Sequence, residues 1–453
     1  MKKVLMKIAT LVTLAVMLFS TTACAKEIIY VTDLTGLNTS YERQSSTGDN
    51  GTGEGGQTSA PEQVEEGTGD GSTYALRVWC AEEDYDMIYE MLNAYANKYS
   101  ANTYKWTVEK QGEDTVSAAV IRDVSAAADV FSFANDQIGT LNNNQALTKI
   151  PSKYHAQIES QIDVAITAAT DKGDYYAIPY SYENCFLYYN KQLITNVSSL
   201  EGILSASITG VDYNLGIDMS DSYYTTMFLY TAGVEIFGKN GNDPESIDLD
   251  NAKAYKACEY IYGLGSQDKL GSIAKADQYA SLKNGKVAAM ISGPHMISQF
   301  KDALGDNFGV AMLPTIKFKG ESTATQMVSF SGVKLYGVSR KSTDVRDEKT
   351  TAEALKLAAY LANAENQQIR LEDREFCPTD ADLFEEVSAN GAVATVDVVV
   401  QQSEYSKLKP GIIEMSNYWD NMKNFLLGVY KLTYGTQADW STELKKVEAK
   451  LKG

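Results

Sequence analysis

The chain has 453 residues, and its 40 basic and 59 acidic side chains give a formal net charge of -19. This acidic balance disfavours nucleic acid and anionic lipid as binding partners, so that a neutral ligand is the better fit. A chain of this length exceeds one ordinary hydrophobic core, and the sequence therefore predicts two packed lobes.

The N-terminus has the anatomy of a secretory signal, with early lysines, an apolar run from Ile8 to Phe19 and small residues up to Ala23. The apolar run is short for a membrane span. The cysteine that follows, Cys24, resembles the lipidated first mature residue of a bacterial lipoprotein. We therefore predict a signal peptide over residues 1–23 and a lipid anchor on Cys24. The alternative is a soluble secreted protein with an incidental cysteine.

Residues 24–73 are predicted to form a flexible acidic tether behind that anchor. From Gln44 to Thr73 the chain is almost entirely Gly, Ser, Thr, Asp, Glu, Asn, Gln and Pro. Such a composition buries too little apolar surface to fold, so the folded body is predicted to begin at Tyr74.

Four further cysteines are widely spaced: Cys80, Cys185, Cys258 and Cys377. They form no Cys-x-x-Cys pair and have no histidine nearby, which disfavours a zinc site. Disulfides and buried free thiols both remain open. No catalytic metal or phosphate-binding motif is present, and no cofactor is expected.

The folded body begins with alternating strand and helix patterns. Residues 75–81 (ALRVWCA) and Tyr104–Val108 are predicted strands, and Tyr85–Tyr99 is an amphipathic helix with one apolar stripe. A further strand is predicted over Asp129–Phe133. This alternation favours a mostly parallel sheet covered on both faces.

Later in the chain, Val287–Ile291 is a short apolar run typical of a buried strand. Gly293 and Pro294 end it, and the fixed φ of Pro294 suits the first position of a helix. His295 then lies at the carboxyl end of a strand, where open α/β sheets bind ligands. Two long helices are predicted near the C-terminus, over residues 412–430 and 438–451.

The stretch from Gly285 to Thr315 resembles the maltose and maltodextrin-binding proteins, which are the sugar-binding subunits of ABC importers. Those proteins carry a similar Gly-x-Ala-Met-x-Ile-x-Gly-Pro run and a following Leu-Pro strand end. Tyr176–Lys191 looks like their Pro-x-x-x-Glu...Tyr-Asn-Lys segment. The resemblance implies an α/β fold of the periplasmic-binding-protein type, with two lobes, hinge crossings and a central ligand cleft. It implies lobe I over 74–180 plus 332–378, and lobe II over 181–331 plus 379–453.

The resemblance also implies binding residues of two kinds, aromatic platforms and hydrogen-bonding side chains. The aromatic positions are Phe133, Tyr223 and Trp419. The carboxylates are Asp136, Glu183 and Asp221. Gln137 replaces an arginine of the family, and His295 stands where the family commonly has a tryptophan. Weaker correspondences are Glu83, Asp84 and Tyr85.

The mixture of residue types suits a sugar. A pyranose ring lies with its C–H face on an aromatic ring, and its hydroxyls need carboxylate or amide partners once water leaves. Each residue also has a structural interpretation. Phe133 and Trp419 could belong to the core, and Asp136 and Asp221 could cap helices.

The sequence therefore predicts a lipid-anchored importer subunit on the extracellular face of the cell membrane. Its expected partners are a neutral oligosaccharide, maltotriose or longer, and the permease subunits of an ABC importer, with the protein itself a monomer. It is expected not to be an enzyme. The alternatives are a secreted carbohydrate-active enzyme, in which Glu183 and Asp221 could serve as the two acids, and a glycan-capture surface lipoprotein without a transport role.

Overall fold

The computed structural model describes residues 69–452. The predicted signal peptide, the lipid anchor on Cys24 and almost all of the predicted tether lie outside the described residues. Within the part of the chain that the model describes, no helix is both long and apolar enough to cross a membrane.

The strands, in chain order, are β1 Thr73–Cys80, β2 Thr103–Lys110, β3 Val130–Ala134, β4 Thr170–Asp171, β5 Asp174–Tyr175, β6 Ile178–Asn184, β7 Phe186–Asn190, β8 Tyr213–Ile217, β9 Leu270–Ser272, β10 Val287–Ser292, β11 Phe308–Ala311, β12 Thr315–Ile316, β13 Thr325–Gln326, β14 Ser329–Val338 and β15 Ser406–Leu408. The helices are α1 Tyr85–Lys98, α2 Val116–Arg122, α3 Ile138–Asn143, α4 His155–Glu159, α5 Asp163–Ala168, α6 Leu200–Ser205, α7 Ser222–Thr231, α8 Ala252–Leu264, α9 Lys275–Lys283, α10 Ile297–Leu304, α11 Glu348–Leu361, α12 Ala364–Arg374, α13 Ala381–Asn390, α14 Ala394–Ser403, α15 Met415–Tyr430 and α16 Gln437–Leu451.

Two mixed sheets form the centres of two lobes. The first has the order β15-β14-β3-β1-β2, with β6 also paired to β14, and the second has the order β11-β7-β10-β8-β9. Strands β1, β2 and β3 are parallel to one another, as are β8, β9 and β10. Strands β14 and β7 run antiparallel to their neighbours β3 and β10, because they carry the chain between the lobes.

The elements follow the predicted hydrophobic patterns. In β1 the side chains alternate between exposed and buried, as a strand with one covered face requires. Helix α1 buries Met87, Ile88, Met91 and Leu92 along the predicted stripe. Pro294 occupies the first turn of a short 3-10 helix that leads into α10.

Three passages connect the lobes. Strand β6 stays in the first sheet to Asn184, beyond the predicted lobe limit at 180, and β7 begins in the second sheet at Phe186. Strand β14 returns the chain to the first sheet. The third passage follows β15, which still pairs with β14 in the first sheet, and leads into α15. Residues 406–408, which were predicted to lie in lobe II, form β15 and pair with β14 in the first sheet.

Residues just before the predicted start of the folded body at Tyr74 also make defined contacts. The side-chain Oδ1 of Asn102 accepts hydrogen bonds from the amides of Asp70, Gly71 and Ser72 at 2.8, 3.0 and 3.2 Å. Lys349 adds an ion pair to Asp70 at 2.9 Å. These polar contacts hold the end of the predicted tether against β2 without any apolar side chain.

All four cysteines within the described residues are buried and free. Of the two open interpretations, the free thiol is the one that the structure supports. Burial raises the pKa of the Cys80 thiol to about 12, so this thiol is protonated and unreactive at neutral pH.

Candidate functional site: a cavity between the two lobes

A cavity of about 560 Å³ lies at the carboxyl ends of parallel strands from both sheets. Its first-lobe wall comes from the loops that follow β1, β2 and β3. Its second-lobe wall comes from the segments that follow β8, β9 and β10 and from α15. Because strand ends converge here from two lobes, the cavity is where the fold brings distant side chains together.

Two aromatic side chains form one wall. Tyr223, in the first turn of α7, stacks on Phe330 with ring centroids 6.0 Å apart and an interplanar angle of 10°. Trp419, on α15, packs against the same Phe330 ring at 5.5 Å. Phe330 is fully buried, whereas Tyr223 and Trp419 are half-buried and line the cavity. The Ser222 hydroxyl donates to the Trp419 carbonyl at 2.8 Å and ties the two helices together.

Charged side chains form the floor. Lys334 Nζ lies 2.7 Å from Glu113 Oε2, and Lys409 Nζ lies 3.1 Å from Asp136 Oδ1. Burial opposes the charge of both lysines, but the nearby carboxylates outweigh it and raise the pKa of each. Glu183 lines the same floor, and no side chain in the described part of the chain donates a hydrogen bond to its carboxylate. An unpaired carboxylate of this kind is a ready acceptor for a ligand hydroxyl.

On the second lobe, Asp221 is the N-cap of α7 and accepts a hydrogen bond from the Tyr223 amide at 2.9 Å. Burial raises the pKa of Asp221, and the neighbouring Asp218 acts in the same direction. The capping role that the sequence left open is therefore present. Because only Oδ1 is used by the cap, Oδ2 is left for a ligand.

His295 points its ring into the same wall. Its Nε2 is buried and has no hydrogen-bond partner among the described residues. Burial, followed by the charges of Lys275, Lys334 and Arg374, holds the pKa of this histidine well below its usual range. The ring is therefore neutral, and desolvation is the first cause, followed by the three nearby cations.

The structure brings eight of the predicted binding residues to the cavity: Glu83, Asp136, Gln137, Glu183, Asp221, Tyr223, His295 and Trp419. Gln137 lines the wall, but its amide is already used. Its Oε1 accepts from the Ser117 amide at 3.0 Å and its Nε2 donates to the Glu113 carbonyl.

Three predicted residues lie elsewhere. Phe133 is 0% exposed and packs on Phe131 in the first-lobe core, so the structural interpretation of this ring replaces the platform interpretation. Asp84 is 3% exposed and pairs with Arg374. Tyr85 does not line the cavity, and its ring lies under the Lys110 ammonium at 5.5 Å. Burial of Phe133 and charge pairing of Asp84 remove both from the ligand surface.

Three charged residues of the floor were not predicted from the sequence: Glu113, Lys334 and Lys409. Lys334 is a cation within the otherwise uncharged strand β14, and this was the one local signal that could have pointed to it. The partners of both lysines are distant in sequence, so only the fold brings each pair together.

A larger cavity, of about 1030 Å³, adjoins the first at Lys409. This cavity is lined by residues of α5, of the 240–244 loop and of the segment before α15. None of its lining residues is aromatic. The smaller cavity is the better candidate site because it combines aromatic faces with the unpaired carboxylate of Glu183 and further acidic side chains. No cluster of potential metal ligands occurs in residues 69–452.

Two α/β lobes joined by three chain passages around a cavity of this kind define a fold of the periplasmic-binding-protein type. Residues 90–395 match the family of bacterial extracellular solute-binding proteins, and the chain belongs to this family.

Relatives and solved structures agree with that assignment. A galactooligosaccharide-binding protein of Bacillus subtilis is 29% identical over 305 residues, which are 64% of this chain and 69% of the relative. A maltooligosaccharide ABC transporter solute-binding lipoprotein of Streptococcus pneumoniae is 27% identical over 316 residues, covering 66% of this chain and 70% of the relative. The fold is similar to a ligand-free maltodextrin-binding protein from L. casei BL23, with a TM-score of 0.73, 24% identity, and coverage of 84% of this chain and 99% of that one.

Proposed function

We propose that this protein is the extracellular sugar-binding subunit of an ABC importer and that it captures malto-oligosaccharides of three or more units. The observation that carries the proposal is the pairing, in one cavity, of the Trp419 and Tyr223 rings with the carboxylates of Asp136, Glu183 and Asp221. The rings offer apolar faces for pyranose C–H groups, and the carboxylates accept hydrogen bonds from sugar hydroxyls.

Capture is expected to involve closure of the lobes. Because Asp136 belongs to the first lobe and Tyr223 to the second, a sugar that contacts both would stabilise the closed arrangement. Hinge closure around a ligand is a known behaviour of this class of proteins, and the three passages between the sheets provide the hinge here. The closed form would present a distinct surface to the permease subunits.

The relatives support the choice of ligand class. One is named for maltooligosaccharides and another for galactooligosaccharides, so a galacto-oligosaccharide is the second candidate ligand. A thermal-shift screen of the purified protein against both series separates them. Stabilisation by maltotriose and longer α-glucans, and not by galacto-oligosaccharides, is the expected result. Stabilisation by the galacto series alone would replace the proposed ligand.

We also propose that the protein binds sugar without cleaving it. Its relatives are named as binding proteins, which supports this choice. Incubation with maltoheptaose followed by product analysis tests it, and the appearance of shorter glucans would identify an enzyme.

For localisation we propose a monomer held at the extracellular face of the membrane by a lipid on Cys24. A single lipid with a long tether would keep the receptor near its permease at high effective concentration. Substitution of Cys24 by Ala should release the protein from the membrane fraction, because the lipid would be its main anchor. Retention of the variant on washed membranes would contradict this anchor.

A further inference from the structure

Lys409 is fixed at the junction of the two lobes. Its amide donates to the Ser331 carbonyl on β14 at 2.8 Å, and its carbonyl accepts from the Asn135 side chain at 2.8 Å. Both ends of its peptide unit are therefore held by the first lobe. The chain then continues directly into the segment that begins α15, the helix of Trp419.

The lysine side chain crosses the cavity floor from that fixed point. Its Nζ lies 3.1 Å from Asp136 on the first lobe and 5.7 Å from the ring centroid of Tyr223 on the second. The side chain is only 8% exposed. A Cβ on Gly332 would lie 2.8 Å from Lys409 Cε, so the absence of a side chain at this position leaves the room that the lysine occupies.

The ammonium has donors to spare. A lysine ammonium carries three N–H groups. Among the described residues, Asp136 is the one carboxylate within ion-pair distance, and the contact is not aligned as a hydrogen bond, because Asp136 Oδ1 has no hydrogen-bond partner there. Because Lys409 lines the cavity, its remaining N–H groups can donate to an oxygen of a bound ligand, and such hydrogen bonds from a charged donor are stronger than neutral ones.

We propose that Lys409 is a specificity-determining residue of the cavity and that its ammonium donates directly to an oxygen of the bound saccharide. This proposal rests on the proposed function. Asp136 and Glu183 of the floor accept hydrogen bonds, whereas Lys409 only donates. A sugar hydroxyl held between these groups accepts a hydrogen bond from the Lys409 ammonium and donates one to a carboxylate. Inversion at the ring carbon that carries this hydroxyl moves it out of reach of both. Lys409 therefore favours one epimeric series over another.

The rival explanation is that Lys409 only positions Asp136. A double-mutant cycle separates the two, with Lys409→Met made in the wild type and in an Asp136→Asn background and maltotriose affinity measured by calorimetry. If the ammonium contacts sugar, Lys409→Met weakens binding about tenfold or more in both backgrounds, in keeping with hydrogen bonds to charged groups. It also lowers the ratio of maltotriose to galactotriose affinity.

Lys407→Met is the matched control, because Lys407 lies on β15 two residues before Lys409 but does not line the cavity. Its affinity for maltotriose should stay near that of the wild type. The double variant Lys409→Met with Asp136→Asn removes both charges together, so it leaves no unpaired buried charge and should fold even where a single variant does not.

The outcomes are distinct. No effect of Lys409→Met in the Asp136→Asn background would make Lys409 a positioning residue and overturn the proposal, while leaving the proposed function intact. An unchanged affinity ratio for the two sugars would overturn the specificity role. Absence of maltotriose binding by the wild type would instead overturn the proposed function, and the role of Lys409 with it.

Discussion

Trp419 occupies the boundary between core and cavity. Its ring packs on Phe330 and lies edge-on to Tyr418 at 5.5 Å, yet it is half-buried and lines the proposed binding surface. The core and the ligand interpretations of this residue are thus both physically present. Its contribution to each can be measured separately.

Substitution of Trp419 by Ala should weaken oligosaccharide binding by about 1–3 kcal/mol, the range for stacking on an aromatic side chain. Calorimetry gives the affinity, and chemical denaturation gives the stability. Trp79→Ala is the control, since Trp79 is also a half-buried tryptophan but lies on β1 away from the cavity. Loss of stability in Trp419→Ala without a specific loss of affinity would make Trp419 a core residue only.

His295 should make the protein less stable in acid. Its pKa lies well below that of a histidine in an unfolded chain, so below about pH 6.5 the unfolded state binds a proton that the folded state does not. The stabilisation is complete above that pH and is lost as the pH falls, with a cost of about 1.4 kcal/mol by about pH 5.5.

Denaturation of wild type and His295→Asn at several pH values tests this expectation. The variant should lose less free energy of unfolding between neutral and acidic pH, and His155→Asn controls for removal of an imidazole elsewhere. Parallel pH profiles for wild type and His295→Asn would rule out the buried neutral state.

At the scale of elements, the hydrophobic patterns were sufficient to predict β1, α1, β10 and the two C-terminal helices. These elements depend on local periodicity, which a single sequence contains. The extension of β6 beyond residue 180, the predicted limit of lobe I, could not be predicted from the sequence. The pairing of β6 with β14 joins segments far apart in the chain. The hydrogen bonds from the amides of residues 70–72 to Asn102 could not be predicted for the same reason.

Helix α3 meets the segment before α15 at a glycine. A Cβ on Gly139 would lie 2.5 Å from the Gly411 carbonyl oxygen and 2.9 Å from Ile412 carbonyl carbon, both of them backbone atoms. The close approach seats the segment that carries Trp419 against the first lobe. Only a residue without a side chain allows it.

Gly139→Ala should therefore lower the free energy of unfolding by about 1–3 kcal/mol through overpacking. Gly263→Ala is the matched control, because Gly263 also lies in a helix but has open space where its Cβ would be. This second change should raise stability by up to about 1 kcal/mol. Thermal denaturation of both variants is the measurement, and equal effects would contradict the close contact.

At the scale of the whole molecule, the sequence predicted two α/β lobes, and eight of the eleven predicted binding residues line the cavity. Family resemblance supplied the binding positions, and burial explains the exceptions, since β3 directs Phe133 into the core and not toward ligand. The paired charges Lys334–Glu113 and Lys409–Asp136 could not be predicted. Each joins residues from segments far apart in the sequence, which the fold of the first lobe brings within 3.1 Å or less.

The central claim is that the cavity between the lobes binds an α-glucan. Calorimetric titration of the purified wild-type protein with maltotriose and longer malto-oligosaccharides tests it most directly. The account predicts one binding site per chain with a dissociation constant of about 1 μM or lower, which corresponds to about -8 kcal/mol or better. Absence of binding to every α-1,4-glucan would contradict it.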